Sequence, residues 1–435
     1  MSNINHSNLN AAIKRAEALI QRMHVSIETD SPVGNTTRIA KDVLHTSSDD
    51  VQATREIEAA LYDAVNWKTE EKWSRKAINK LMEEAIHLSI NWGKGSSKSF
   101  PERFDEAIEK LKTELSLPLK EWQFYFPILG LTVGDKQRVI GSITLLQGNS
   151  KNIGVILQRM AKITDLTANT AKEKKEFKKI QASEVRKFSD IAIASVISFA
   201  GDIEAARKNA LEKILTVLDI LNCFSPFLYE KKFKVKVYLP GELSRDHSIN
   251  IAFQKDDSSN LQFVRHGPLI DFKLTDLNNQ KAKTWGLIRL SEILNKSKPT
   301  EIEERLFYAT RFAGRAAVSN RLEDSFLFYA IALESLLVGG NEQRDLTLLL
   351  SMRTALMLGE NLAARQKIQS NVQRLYGIRS AIVHRGSTKL DEKDLVLIQH
   401  YTLQVIVSLL TRRVFKRFAK KSELNEWFEK KMLTF

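Results

Sequence analysis

The chain has 435 residues, 43% hydrophobic and 27% charged, which is ordinary globular composition and enough for two or three domains with buried cores. A single cysteine, Cys223, excludes an intrachain disulfide and any cysteine-rich zinc cluster, and its apolar neighbourhood Ile220-Leu-Asn-Cys-Phe224 assigns it to packing. The net charge of +14 favours polyanionic partners without naming one, and the polar start and the lack of an eighteen-residue apolar run predict a cytoplasmic chain that spans no membrane.

Residues 1–120 read as helical. Apolar positions recur at helix spacing in Ala11–Met23, Ile57–Val65 and Ile78–Ile86; Gly93–Ser99 is a polar loop, and Pro101 opens a further helix. From Trp122 to Leu146 the composition turns β-branched and aromatic. It predicts a hairpin turning at Gly134–Arg138, with Pro127 placing the first strand on an edge. Residues 151–224 return to helix, with Lys172–Lys179 as a solvated charged face and Asp202–Asn222 as an amphipathic helix. Short strands are expected at Phe233–Leu239, Ile249–Phe253 and Leu261–Val264.

Asn295–Thr300 is polar, and Thr300-Glu-Ile-Glu303 carries the spacing of a capping box, so a boundary is placed at 297/298. Helices are predicted over roughly 301–318, 320–338, 342–358, 361–385 and 391–419, with Asp391 as an N-cap and Gly339-Gly340, Gly359 and Gly386 as stops. Short connections make these an antiparallel bundle. The fold class is therefore α+β, mostly α: a helical region (1–120), a mixed α/β region (121–297) and a C-terminal helical bundle (298–435).

Two features of the bundle carry chemistry. Glu334 has apolar residues at three and four positions on either side, so it needs a cation, which Arg353 or Arg379 would supply. A register-fixing ion pair and support of a catalytic group are both open for it. Tyr376-Gly-Ile-Arg-Ser-Ala-Ile-Val-His384-Arg-Gly386 puts Tyr376, Ser380 and His384 on one helix face at intervals of four. Arg379 and His384 lie about 140° apart on an ideal helix, so they need not touch directly. Imidazole takes a proton near neutrality, and guanidinium holds phosphate in a fork. Helix termination by His384, or its packing or core placement in the case of Tyr376, is the alternative reading of these residues. No phosphate-binding glycine loop and no hydrolase motif is present, and the scattered histidines give a metal site no support.

Ala332-Leu-Glu-Ser-Leu-Leu337, Ser351-Met-Arg-Thr-Ala355 and Leu375–Gly386 together resemble the Apea-like branch of the HEPN superfamily over about residues 300–415. That resemblance implies an all-α bundle that dimerises, and a metal-independent endoribonuclease without cofactor whose arginine and histidine, with four to six residues between them, meet their symmetry mates in a shared cleft. Arg379 and His384 would be catalytic, with Ser380, Glu334, Tyr376 and Arg353 supporting. Many active members carry Asn, Asp or His after the arginine, where this chain has Ser380. Arg38 and His45 also fit the spacing but lack the surrounding pattern. Arg412, Arg413, Lys416, Arg417, Lys420 and Lys421 form a basic surface suited to an RNA backbone, or alternatively a solvated helix face, and Tyr376 and Arg385 are further candidates for base stacking and phosphate contact. The role implied is a toxic effector of bacterial anti-phage defence, acting on RNA as a homodimer and answering to a phage-derived trigger or an antitoxin. The alternatives are a non-catalytic RNA-binding or dimerisation module, and the toxin subunit of a toxin–antitoxin pair.

Overall fold

The computed structural model describes residues 117–433 apart from 168–169, 230–233, 242–248, 255–256, 266–268, 339–344 and 386–389, together with scattered positions between 72 and 114. Most of the helices expected before residue 120, and Arg38 with His45, lie outside the described residues. Two compact units emerge. One combines the described residues up to Phe124 with Ile197–Leu211; the other combines Tyr125–Val196 with Glu212 onward, and runs through position 298 without a division.

A four-stranded sheet has the order β1-β5-β4-β3, with β1 Lys120–Ile128, β3 Arg138–Ile140, β4 Ile143–Gln147 and β5 Ala192–Ala200; β2 is Leu131–Thr132. The hairpin differs from the one expected. β3 and β4 pair with Ile140 opposite Ile143, so the chain reverses at Gly141-Ser142 rather than at Gly134–Arg138. Gly141 has φ 57°, and a Cβ there would sit 2.8 Å from Leu294, so geometry and space both demand glycine. β5 falls inside a region expected to be helical. Its apolar run Ala192-Ile-Ala-Ser-Val196 is buried almost continuously, so the period-two alternation that marks a strand is missing there. Central placement between β1 and β4 is the physical reason. β1, which holds Pro127, is an edge.

Helices α1 (Ser150–Thr167), α2 (Ala171–Arg186) and α3 (Ile203–Leu228) follow the sheet's connections. The lysine-rich face of α2 is exposed. Cys223 on α3 is 1% exposed, and burial raises its thiol pKa. The later strands are β6 Lys234–Val235, β7 Ile249–Gln254, β8 Asp257–Arg265, β9 Leu269–Ile270 and β10 Phe272–Lys273; β7 pairs antiparallel with β8, and β6 parallel with β9. Two short helices, α4 Asn279–Thr284 and α5 Leu287–Leu294, lead into the bundle.

The bundle comprises α6 Glu301–Val318, α7 Leu322–Leu337, α8 Leu346–Leu358, α9 Leu362–Arg385 and α10 Glu392–Thr411. Thr300 and Glu303 complete the capping box of α6, and Asp391 caps α10. α7 is central. Phe326, Tyr329, Leu333, Leu336 and Leu337 are buried, and the helix packs against α6, α9 and α10, while α9 pairs mainly with α8. Full burial of each such side chain is worth about 1.5–3 kcal/mol, so this stripe contributes substantially to holding the bundle. α6 also approaches α3 closely: a Cβ on Gly314 would lie 2.0 Å from the Asp219 carbonyl oxygen, and Arg311 and Arg315 flank the Asp219 carboxylate at 3.7 Å.

The last helix is shorter than expected. α10 stops at Thr411, the extended Arg412 breaks the path, and α11 (Arg413–Lys416) and α12 (Lys421–Leu433) follow. The break is stabilised by the Arg412 guanidinium, which donates to the Met357 carbonyl at the end of α8 (2.7 Å). By length and composition α10 meets the criterion for crossing a membrane, at a mean hydropathy of 1.3, but here its apolar side faces α7.

Candidate active site

The site is assembled on α9 and the last turns of α7. Two guanidiniums anchor the carbonyls that end α7: Arg305 donates to Ser335 (2.8 Å), and Arg353 donates to Leu337 (2.5 Å). Arg353 is itself buried, with its guanidinium 5.4 Å from the centre of the Phe428 ring. Of the two arginines considered as partners for Glu334, Arg353 therefore serves the helix end, and the ion pair is with Arg379: Nε lies 3.2 Å from Oε1. Their side chains are only 27% and 21% exposed. The Nε–H does not point along the contact, so it is an ion pair rather than an aligned hydrogen bond.

Burial raises the Glu334 carboxyl pKa, opposed by the charge of Arg379 and by the Tyr376 hydroxyl. Tyr376, buried, donates to the Ala330 carbonyl (3.1 Å), and burial together with the Glu334 charge holds its phenol well above the usual range. Tyr376 is therefore a core residue locking α9 to α7, not a surface for stacking bases. Earlier on α9, Arg374 pairs with the buried carboxylate of Asp394 on α10 (2.6 Å), and Asn371 donates to the Tyr401 hydroxyl (2.9 Å). These cross-helix partners had no signal in the sequence. Asp394 reads as an ordinary first-turn acid, and Arg374 as one surface cation among many.

The end of α9 is open. Ser380, His384 and Arg385 are exposed, and Val383 beside them is 50% exposed. Among the described residues, no apolar packing covers His384. Arg379 turns its Nε toward Glu334, while its two terminal amino groups make no hydrogen bond among the described residues. A guanidinium steered in this way keeps one edge available for a phosphate oxygen. The expected basic surface divides. Arg413, Lys416 and Arg417 are exposed around α11, but Arg412 caps α8, and Lys421, at the start of α12, is buried.

The arrangement supplies a solvent-open proton acceptor and a half-buried cation, both borne by the last three turns of one helix that is pinned along its length. No family model matches this chain, and no curated protein and no solved structure matches it.

Proposed function

We propose that the chain is an endoribonuclease of HEPN type that cleaves RNA through attack of the ribose 2′-hydroxyl on the adjacent phosphorus. The observation that carries this reading is the pairing of an exposed His384 with an Arg379 oriented by Glu334 on the same helix. His384 takes the 2′-hydroxyl proton, the oxygen bonds to phosphorus, and the 5′-oxygen leaves, giving a 2′,3′-cyclic phosphate. Arg379 meets the negative charge that grows on the phosphate oxygens. Arg385, Arg413, Lys416 and Arg417 would hold flanking phosphates. On this reading the working unit is a cytoplasmic homodimer formed through the bundle, which brings two α9 ends to one cleft. The reaction needs no metal, and the biological role is growth arrest during phage infection.

The test is cleavage of RNA in EDTA, with the ends identified as 2′,3′-cyclic phosphates. His384→Ala and Arg379→Ala should each lower the rate about 100- to 10,000-fold, the range for a general base or a charge-stabilising group, with the fold intact by circular dichroism. Cutting that survives both changes would remove the proposal. A second reading, an RNA-binding module without catalysis, is favoured by one observation: Arg379 already has a carboxylate partner, as a purely structural arginine would. Salt-dependent RNA binding without cleavage, indifferent to His384→Ala, is its signature.

A further inference from the structure

A cavity of about 440 Å³ lies away from the α9 end, where the close of α3 and the strand residue Val235 meet the α6–α7 connection and the start of α10. Its volume falls in the range of small-molecule sites. Its apolar lining includes Pro226, Val235, Leu322, Leu395 and Val396. The lining also carries polar groups, one of them with unspent capacity. Tyr329 is 1% exposed, and its hydroxyl accepts a bond from the Gln399 amide (2.8 Å). The hydroxyl proton meets no acceptor among the described residues, although both side chains line the cavity. A buried phenol O–H with no acceptor is costly, and a ligand oxygen would remove that cost.

Charge selects the kind of oxygen. Arg321 lines the cavity and makes no ion pair among the described residues, and Lys236 is held beside it by the side-chain oxygen of Asn320. Among the described residues that line the cavity, the charged ones are Arg321, Lys236 and Glu392. Arg321 is also the N-cap residue of α7, and no side chain caps that helix start. The first-turn N–H groups there add a positive dipole end beside the same space, partly offset by Glu323 and Asp324 in that turn.

We propose that this cavity binds a small organic anion, its phosphate or carboxylate head between Arg321 and the Tyr329 hydroxyl and its apolar body against Leu322, Leu395 and Val396. The reading is independent of nuclease activity. It is tested by titrating the full-length protein with phenyl phosphate, benzoate, inorganic phosphate and phenol, following heat by calorimetry. Saturable binding of phenyl phosphate or benzoate is expected, and the tighter of the two identifies the head group. Arg321→Gln should weaken it about tenfold or more, the scale of one charge-assisted hydrogen bond. Tyr329→Phe should weaken it several-fold, and Arg186→Gln, at an exposed arginine outside the cavity, should leave it unchanged. Equal binding of phenol, absence of binding by both organic anions, or binding that survives Arg321→Gln would each overturn the proposal. Should Tyr329→Phe fail to fold, Arg321→Gln decides alone, since that side chain is exposed.

Discussion

Glu334 is the residue on which the site's electrostatics turn. Its folded-state pKa is raised, chiefly by burial, so any stability it confers is full below the ordinary carboxylate value and is lost as pH rises through the raised value. Glu334→Gln removes that titration. The melting temperature of the wild type relative to Glu334→Gln should therefore fall on going from about pH 4 toward neutrality, measured by thermal melts in matched buffers; a gap constant with pH would contradict the assignment. The same substitution also releases the arginine it steers. On the nuclease reading, Glu334→Gln should slow cleavage by up to about 100-fold through misplacement of Arg379, without changing RNA binding in the same proportion. Arg379→Lys, which keeps the charge and loses the fork, should be impaired similarly. The need of Glu334 for a cation was legible from its apolar neighbours in sequence. Which arginine answers was not, because Arg353 and Arg379 stand on different helices and only packing decides between them.

At the scale of elements, capping chemistry was the most readable signal. Thr300 with Glu303, and Asp391, start their helices where the residue types predicted. Thr300→Ala should destabilise the bundle by about 1 kcal/mol, the typical cost of losing an N-cap, read as a lower midpoint in urea. The contact between α3 and α6 had no such signal. Gly314 resembles a helix-weakening glycine in sequence, yet a Cβ there would meet the backbone of α3 at Asp219. Gly314→Ala improves helix propensity but should destabilise by about 1–3 kcal/mol, because the Asp219 carbonyl occupies the space a methyl group needs; a gain in stability would show that the helices separate at little cost. β5 and the break at Arg412 were missed for related reasons. A buried central strand loses its alternation, and an arginine that leaves one helix to cap another is invisible to periodicity.

For the whole molecule, the helical character of the C-terminal third followed from the 3.6-residue spacing of α6 to α10, whereas the pairing order of the sheet required contacts that no local pattern encodes. The proposed dimer places function at this scale. Val383 stands half exposed beside His384 in the last turn of α9, and on the dimer reading a second copy covers it. Val383→Asp should shift the protein toward monomer in sedimentation velocity and reduce cleavage in parallel; a monomeric variant with full activity would mean that each chain cuts alone.

The seclusion of Cys223 has a practical corollary. With the native thiol sealed in the interior, a cysteine introduced at position 383 would be the sole thiol open to maleimide dyes. Fluorophores or covalent tethers can then report whether two copies bring these helix tips together, on the unaltered background of every other residue.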